Sequence, residues 1–171
     1  MRLLILTQYY PPEIGAPQNR LHELALRLKK FSVHVEVLTA LPNYPNMKLH
    51  KAYEKGQLRE EIIDSIPIHR SWIYISKSNG IIPRLLNYFS FVFTSYIRGK
   101  KLGSFDYLLV ESPPLFLGYS AIKLKNKLNA KLNPDLKKMI LKDFPQYKVE
   151  KGLSLLKLNK DRKSTRLNSS H

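Results

Sequence analysis

The chain has 171 residues, of which 43% are hydrophobic and none is cysteine. This composition supports one globular domain with a buried core and excludes disulfide bonds and thiolate metal sites. The formal charge is +16, but residues 123–171 hold 14 Lys or Arg against 4 Asp or Glu. An argument for nucleic-acid binding from charge would therefore rest mainly on the carboxy-terminal segment.

The first forty residues have the pattern of a strand, a loop, a helix and a second strand. Residues 2–7 form an apolar run typical of a buried parallel strand, and valines alternate along 33–38. Between these strands, Leu21, Leu24 and Leu28 recur at helical spacing after a proline that suits a first helical turn. The order β-α-β predicts a parallel sheet.

A long irregular loop is expected at 40–57, and regular elements follow it. They are two short strands, an aromatic-rich helix, a buried strand and another helix, at 59–63, 66–74, 84–99, 107–110 and 115–128. Asp64 and Ser65 make the turn between the short strands. A further short helix is expected around 134–140.

The fold class predicted from these elements is α/β, with one domain at residues 1–128. Residues 129–160 have no assigned domain and contain the short helix, and residues 161–171 are expected to be disordered. We expect no secretory signal, and no apolar stretch reaches the length of a membrane span. The absence of cysteine fits a cytoplasmic protein.

Ligands of open parallel sheets bind outside the carboxyl ends of the strands. The first loop there ends in Gly15 and Ala16, directly before a helix amino terminus that favours an anion such as a diphosphate. The alternative is an ordinary loop before a proline-started helix. The stretch Pro42–Pro45 lines either a substrate cleft or plain surface. Glu111, at a strand end, either acts as a base or binds a substrate hydroxyl, or it caps a neighbouring helix or pairs with a cation.

The aromatic-rich helix at 84–99 has basic residues around it. Arg84, Tyr88, Phe91 and Arg98 are the candidates for a membrane-facing surface, because basic and aromatic residues together suit an interface. The alternative is a buried helix with charged ends, which apolar residues on nearly all sides favour. The five histidines lack the spacing of a metal pair, so no metal site is predicted.

Four segments in order resemble bacterial family 4 glycosyltransferases of the GT-B fold, in particular those of O-antigen, capsule and colanic acid synthesis. They are ILTQYYPPEIGAPQNR at 5–20, VLTALPNYP at 37–45, SWIYISKSNGIIPRLLNYFSF at 71–91 and VESPPLFLG at 110–118. The resemblance covers about residues 1–125 and implies the amino-terminal half of a GT-B enzyme. That half is a Rossmann-like parallel sheet with helices on both faces.

The resemblance implies a function and its partners. A sugar would pass from a nucleotide-sugar donor to a lipid-linked saccharide acceptor, at the cytoplasmic face of the inner membrane, without an essential metal or other cofactor. Gly15 and Ala16 would lie against the donor diphosphate. The acceptor side of the cleft would take polar residues and one proline from the first turn of the helix that follows and from the two later loops, namely Asn19, Arg20, Asn43, Tyr44, Glu111, Ser112 and Pro113. No catalytic residue is assigned.

The chain departs from that family after residue 128. The next buried strand, an Asp-x-Trp-Pro-Glu-like stretch and the donor-binding half are missing, so we expect a truncated fragment that is inactive alone. The final DRKSTRLNSSH resembles sequencing-adapter read-through, which predicts an artefactual tail. The rival hypothesis is a basic module that binds membranes or nucleic acid without catalysis. On the resemblance itself, no nucleic-acid partner is expected.

Overall fold

The structure is a computed structural model that describes residues 1–54, 59–78, 80–112, 117–128, 147–149 and 155–158. Its strands are β1 Arg2–Leu6, β2 His34–Ala40, β3 Glu60–Ile63, β4 Ile66–Ser71, β5 Tyr107–Ser112, β6 Tyr147–Val149 and β7 Leu155–Leu158. Its α-helices are α1 Ala16–Lys30, α2 Ile81–Gly99 and α3 Leu117–Leu128. The helix expected at 134–140 and the tail at 161–171 lie outside the described residues.

The sheet has the order β3-β4-β2-β1-β5, and β7 and β6 continue it beyond β5. β4, β2, β1 and β5 are mutually parallel, and β3 joins the edge as the antiparallel arm of a hairpin. Asp64 and Ser65 form the hairpin turn with φ of 49° and 60°, as a tight two-residue turn requires. The prediction of an α/β fold with a largely parallel sheet is confirmed.

Both faces of the sheet are buried, and successive residues of β1 face opposite layers. Leu3 and Ile5 pack in a cluster with the apolar side of α1, whereas Leu4 and Leu6 pack in a cluster with residues of α2 and α3. All four side chains are fully buried. Helices therefore cover both faces, and the continuous apolar run of β1 is explained by burial on two sides.

Most predicted elements lie within a few residues of their observed bounds. β4 ends at Ser71 rather than at residue 74, and α2 begins at Ile81 rather than at 84. Pro83 falls in the first turn of α2, where a missing N–H costs no helical hydrogen bond, so the helix can begin before it. The loop predicted at 40–57 contains one turn of 3-10 helix, Lys51–Tyr53.

Helix α2 has an inverted polarity. Its buried positions are four residues apart and mostly small or polar: Asn87, Phe91, Ser95 and Gly99. Its exposed positions carry most of its large apolar side chains: Ile81, Ile82, Leu85, Leu86, Phe89, Phe93 and Ile97. The alternative of a helix with its apolar side chains buried is therefore wrong. Phe91 is fully buried, so its proposed outward orientation is wrong as well, because it lies on the inner side of the helix.

The polar residues of α2 hold the segment that follows β4. Asn87 Nδ2 donates to the Tyr74 carbonyl over 2.6 Å, and the Ser90 hydroxyl accepts from the Tyr74 N–H over 2.8 Å. The Thr94 hydroxyl donates to the carbonyl of Trp72. These bonds explain why α2 has polar side chains on this side. They pair backbone groups of Trp72 and Tyr74, which lie beyond the end of β4 and have no strand partner.

Gly99 allows α2 to approach its neighbours closely. A Cβ at this position would lie 2.7 Å from Leu124 Cδ2 and 3.1 Å from Leu38 Cδ2. We expect Gly99→Val to lower the free energy of unfolding by about 1–3 kcal/mol through overpacking. Urea titration measures the change.

Leu124→Ala provides the control in a double-mutant cycle. The added valine fills the space that the shortened Leu124 leaves, so the double variant should lose less stability than the two single losses together. Additive losses would contradict this account of the contact.

Candidate functional site

The carboxyl ends of β1, β2, β4 and β5 lie along one edge of the sheet, and the loops that follow β1 and β2 meet there. β1 is the strand at which the order of the sheet reverses, with β2 on one side and β5 on the other. Such a point is where open α/β sheets leave a crevice. Thr7, directly after β1, donates its hydroxyl to Glu111 Oε2 of β5 over 3.0 Å.

The carboxylate of Glu13 joins the first loop to the second. Its Oε1 accepts the N–H groups of Asn43 and Tyr44 over 2.8 and 2.9 Å, and its Oε2 accepts the Tyr10 N–H over 3.3 Å. Glu13 is only 4% exposed. Burial raises the pKa of Glu13, and the three backbone N–H groups and the charge of Arg70 oppose that rise.

The guanidinium of Arg70 binds backbone carbonyls in the first loop and at the strand end from which the second loop begins. The side chain is fully buried and donates to the carbonyls of Pro11 and, over 3.3 Å, Ala40. Its Nε donates to Glu61 Oε1 over 2.6 Å, which compensates the buried charge. The Arg70 guanidinium also lies 5.4 Å from the centre of the Tyr53 ring.

A hydrogen-bonded chain joins the first loop to α2. Gln8 Nε2 donates to Asn87 Oδ1 over 2.8 Å, and both residues are buried. Gln8 Oε1 has no hydrogen-bond partner among the described residues. Through Asn87, the position of the loop after β1 is tied to the exposed apolar helix.

The amino terminus of α1 opens beside Gly15. Within the described residues no side chain caps this terminus. The Gln18 side chain is buried and folds over Gly15, so that a Cβ at position 15 would lie 2.3 Å from Gln18 Oε1. That oxygen has no partner in the described part of the chain. Gly15 has a φ of 178°, so crowding rather than backbone conformation selects glycine here.

Burial raises the pKa of Glu111 to about 7, although the Thr7 hydroxyl and the charge of Arg20 act in the opposite direction. The Thr7 hydroxyl has one proton and two nearby acceptors, Glu111 Oε2 and, over 3.1 Å, the Tyr9 carbonyl. When Glu111 is ionised, Thr7 donates to it. When Glu111 is protonated, it can donate to the Thr7 hydroxyl, and that hydroxyl can then donate to the Tyr9 carbonyl.

The structure brings several of the predicted cleft residues to this edge and gives them different surroundings. Asn43 is buried and its side chain donates to the Leu41 carbonyl over 2.9 Å. Tyr44 is 48% exposed, with its ring 6.0 Å from that of Tyr9. Asn43 therefore shapes the loop, and Tyr44 is exposed at its surface.

The remaining predicted residues fall at the helix amino terminus and at the end of β5. Ala16 and Asn19 are exposed, and Arg20 Nε donates to the Ala16 carbonyl over 3.2 Å. Ser112 is the last residue of β5, and Pro113 lies outside the described residues. Of the proposed membrane-facing residues, Arg84 is exposed, and Tyr88 and Arg98 are half-buried.

Sequence reasoning missed Gln8, Glu13, Arg70 and Asn87. Two of them had a local signal, since Glu13 stands in a loop of prolines and apolar residues and Asn87 interrupts an apolar helix. A polar group in apolar surroundings needs a partner.

A scan of protein-family models gives no match to this chain, and a search of curated proteins gives none either. In the described residues no helix is both long and apolar enough to cross a membrane. Within the same residues no group of three or more His, Asp or Glu is placed to hold a metal ion.

We expect Glu13→Ala to lower the free energy of unfolding by roughly 2–4 kcal/mol, because it leaves buried N–H groups without an acceptor. Hydrogen exchange at the amides of Asn43 and Tyr44 should accelerate. Glu23→Ala removes an exposed carboxylate paired with Arg27 and should cost less than about 1 kcal/mol. Unchanged protection of both amides in Glu13→Ala would show that Glu13 does not join the two loops.

We expect Glu111 to make stability depend on pH. Its pKa is about 7 in the folded chain against an ordinary 4.5, so the folded state alone retains this proton between those values. The resulting stabilisation is complete below the ordinary pKa and is lost as pH rises through the folded pKa. Between these limits the loss is about 3 kcal/mol.

Glu111→Gln should remove that dependence. The free energy of unfolding of both proteins is measured across this pH range. The value for the variant should rise relative to that of the parent as pH rises. A constant difference between the two curves would show that Glu111 keeps an ordinary pKa. Glu23→Gln serves as the exposed control.

Proposed function

We propose that this domain is the acceptor-side half of a sugar-nucleotide-dependent glycosyltransferase that transfers a sugar to a lipid-linked saccharide in surface polysaccharide synthesis. One observation carries the proposal: described residues from each of the four segments that resemble the family are joined by hydrogen bonds near the carboxyl ends of the parallel strands. Glu13 of the first segment binds the second, Gln8 binds the third through Asn87, and Thr7 binds the fourth through Glu111. Independent loops would have no need of these buried bonds.

The amino terminus of α1 is proposed to receive the donor diphosphate. Helix N–H groups and the helix dipole favour an anion there, and glycine at position 15 leaves its backbone approachable. The buried Gln18 amide lies over the same backbone. Rotation of its terminal amide group would present an N–H to a phosphate oxygen. This arrangement supports the role predicted for Gly15 and Ala16.

Glu111 is proposed to hold a hydroxyl of the acceptor sugar. It stands at the point where the strand order reverses, and the charge of Arg20 acts on it. A carboxyl group with a pKa near neutrality can accept or donate a hydrogen bond at little cost. Tyr44, exposed on the second loop, offers a ring against which a sugar can pack.

Helix α2 is proposed to lie in the membrane interface, where a lipid-linked acceptor would be found. A row of apolar residues every four positions, Ile81, Leu85, Phe89, Phe93 and Ile97, is exposed along its length. We call this row the α2 ridge. Arg84 and Lys100 are exposed beside it, and cations at the margins of an apolar surface complement anionic lipids.

The test joins this domain to the carboxy-terminal half of a GT-B glycosyltransferase and measures transfer from a panel of nucleotide sugars to lipid-linked saccharides. We expect transfer from at least one donor. Gly15→Leu should weaken donor binding at least tenfold, because the added side chain collides with Gln18 and displaces it at the helix amino terminus. Ile14→Leu, at an exposed neighbour, should leave donor binding unchanged.

A folded chimera, verified by its unfolding transition, that transfers no sugar would contradict the proposed function. Equal donor binding by the Gly15→Leu chimera and the unmodified chimera would remove the diphosphate role alone.

A further inference from the structure

A chain of hydrogen bonds with a single direction runs from the segment after β4 to the first loop. Asn87 Nδ2 donates to the Tyr74 carbonyl over 2.6 Å, and Gln8 Nε2 donates to Asn87 Oδ1 over 2.8 Å. Gln8 Nε2 also donates to the hydroxyl oxygen of Tyr9 over 3.3 Å. Both amide side chains are buried, so the chain is isolated from bulk water and its bonds are strengthened by the low local dielectric.

The Tyr74 carbonyl fixes the orientation of both side-chain amides. A backbone carbonyl can only accept, so the group of Asn87 that faces it must be the NH₂, which leaves Oδ1 towards Gln8. Asn87 Oδ1 can likewise only accept, so Gln8 must present its own NH₂. Turning either amide by half a turn would place two oxygens against each other. The direction of the chain therefore follows from the chemistry of its members.

The chain ends at the Tyr9 hydroxyl and determines what that group can do. Because its oxygen accepts the second hydrogen of the Gln8 amide, its own hydrogen must point elsewhere. Within the described residues no hydrogen bond engages that hydrogen. Burial, together with Tyr88, Glu13 and Tyr44, raises the pKa of Tyr9 to about 12. The hydroxyl therefore keeps its hydrogen at neutral pH and remains a donor.

Tyr9 lies beside the exposed surface of the second loop. It is partly exposed, and its ring centre lies 6.0 Å from that of Tyr44, which is 48% exposed. Glu13 joins the two loops that carry these rings. A ligand that packs against the Tyr44 ring therefore comes within reach of the Tyr9 phenol, which combines an apolar ring with a polar tip.

We propose that Tyr9 is a specificity-determining residue of the acceptor site, whose hydroxyl donates a hydrogen bond to an oxygen of the acceptor sugar. Gln8 and Asn87 are the positioning residues that fix its direction. The sugar must present an acceptor at this point. A hydroxyl or acetamido oxygen meets that requirement, whereas the ammonium of an unmodified amino sugar would bring one donor against another. This inference rests on the proposed function.

The experiment measures binding of the methyl β-glycosides of glucose, galactose and N-acetylglucosamine to the full chain by NMR titration. The parent should bind at least one of them, and Tyr9→Phe should weaken that binding about fivefold, the effect of one lost hydrogen bond. The matched control is Tyr107→Phe, which removes a tyrosine hydroxyl at the start of β5, at the other end of the sheet. It should leave binding unchanged.

Deoxygenated analogues of the bound glycoside, each lacking one hydroxyl, separate a direct contact from a structural effect. One analogue should bind the parent about fivefold more weakly than the intact glycoside does. The same analogue should bind Tyr9→Phe as well as the intact glycoside does, because the partner of the missing oxygen is already gone. Additive losses for every analogue would overturn the proposal, as would equal glycoside binding by Tyr9→Phe and the parent.

Gln8→Glu tests the direction of the chain while retaining the Tyr9 hydroxyl. A carboxylate can only accept, so it would draw the hydroxyl hydrogen inwards and away from the sugar. Glycoside binding should then fall as far as in Tyr9→Phe, in protein whose unfolding transition shows that it is folded. Full binding by folded Gln8→Glu would overturn the positioning role. Should the variant not fold, Tyr9→Phe and the deoxygenated analogues decide.

The chimera separates this inference from the proposed function. Glycoside binding that depends on Tyr9, in a chimera that transfers no sugar, refutes the proposed function alone. Transfer that Tyr9→Phe does not reduce refutes this inference alone. A folded parent that binds none of the three glycosides overturns the inference as well.

Discussion

The buried guanidinium of Arg70 is the constraint on which the ligand-facing edge of the sheet depends. It reaches from β4 to the carbonyl of Pro11 in the first loop and to that of Ala40 at the end of β2. A buried cation is costly unless it is paired, and Glu61 of the hairpin supplies the pair. The antiparallel strand β3 therefore contributes to the interior as well as to the sheet edge, since its Glu61 carboxylate compensates the buried charge of Arg70.

The hydrogen bonds of Glu13 add to those of Arg70. Arg70 binds Pro11 inside the first loop and Ala40 at the start of the second, and Glu13 joins the two loops through backbone N–H groups. Electrostatic attraction between the two residues favours the ionised carboxylate against its burial. Two largely irregular segments thus become a defined surface, as a ligand site requires.

The elements of the fold were largely predictable because their signals are local. The apolar run of β1, the helical spacing of Leu21, Leu24 and Leu28, and the Asp64-Ser65 turn each depend on neighbouring residues only. The loop contacts of Glu13 and Arg70 were not predictable, because Asn43 lies 30 residues from Glu13, and Ala40 and Pro11 lie 30 and 59 residues from Arg70. Helix α2 was predicted as a helix, but its apolar residues lie on several sides and do not identify the inner one. The small and polar residues at four-residue spacing identify the inner side.

The burial of β1 on both faces has a consequence for the register of the sheet. Where one face of a strand meets water, a slip by one residue exposes its apolar side chains and is penalised. In β1 such a slip would only exchange Leu3 and Ile5 with Leu4 and Leu6 between two apolar layers. Polar contacts at the two ends of the strand must therefore set its alignment. Arg2 binds Glu36 and Asp106 at one end, and Thr7 binds Glu111 at the other.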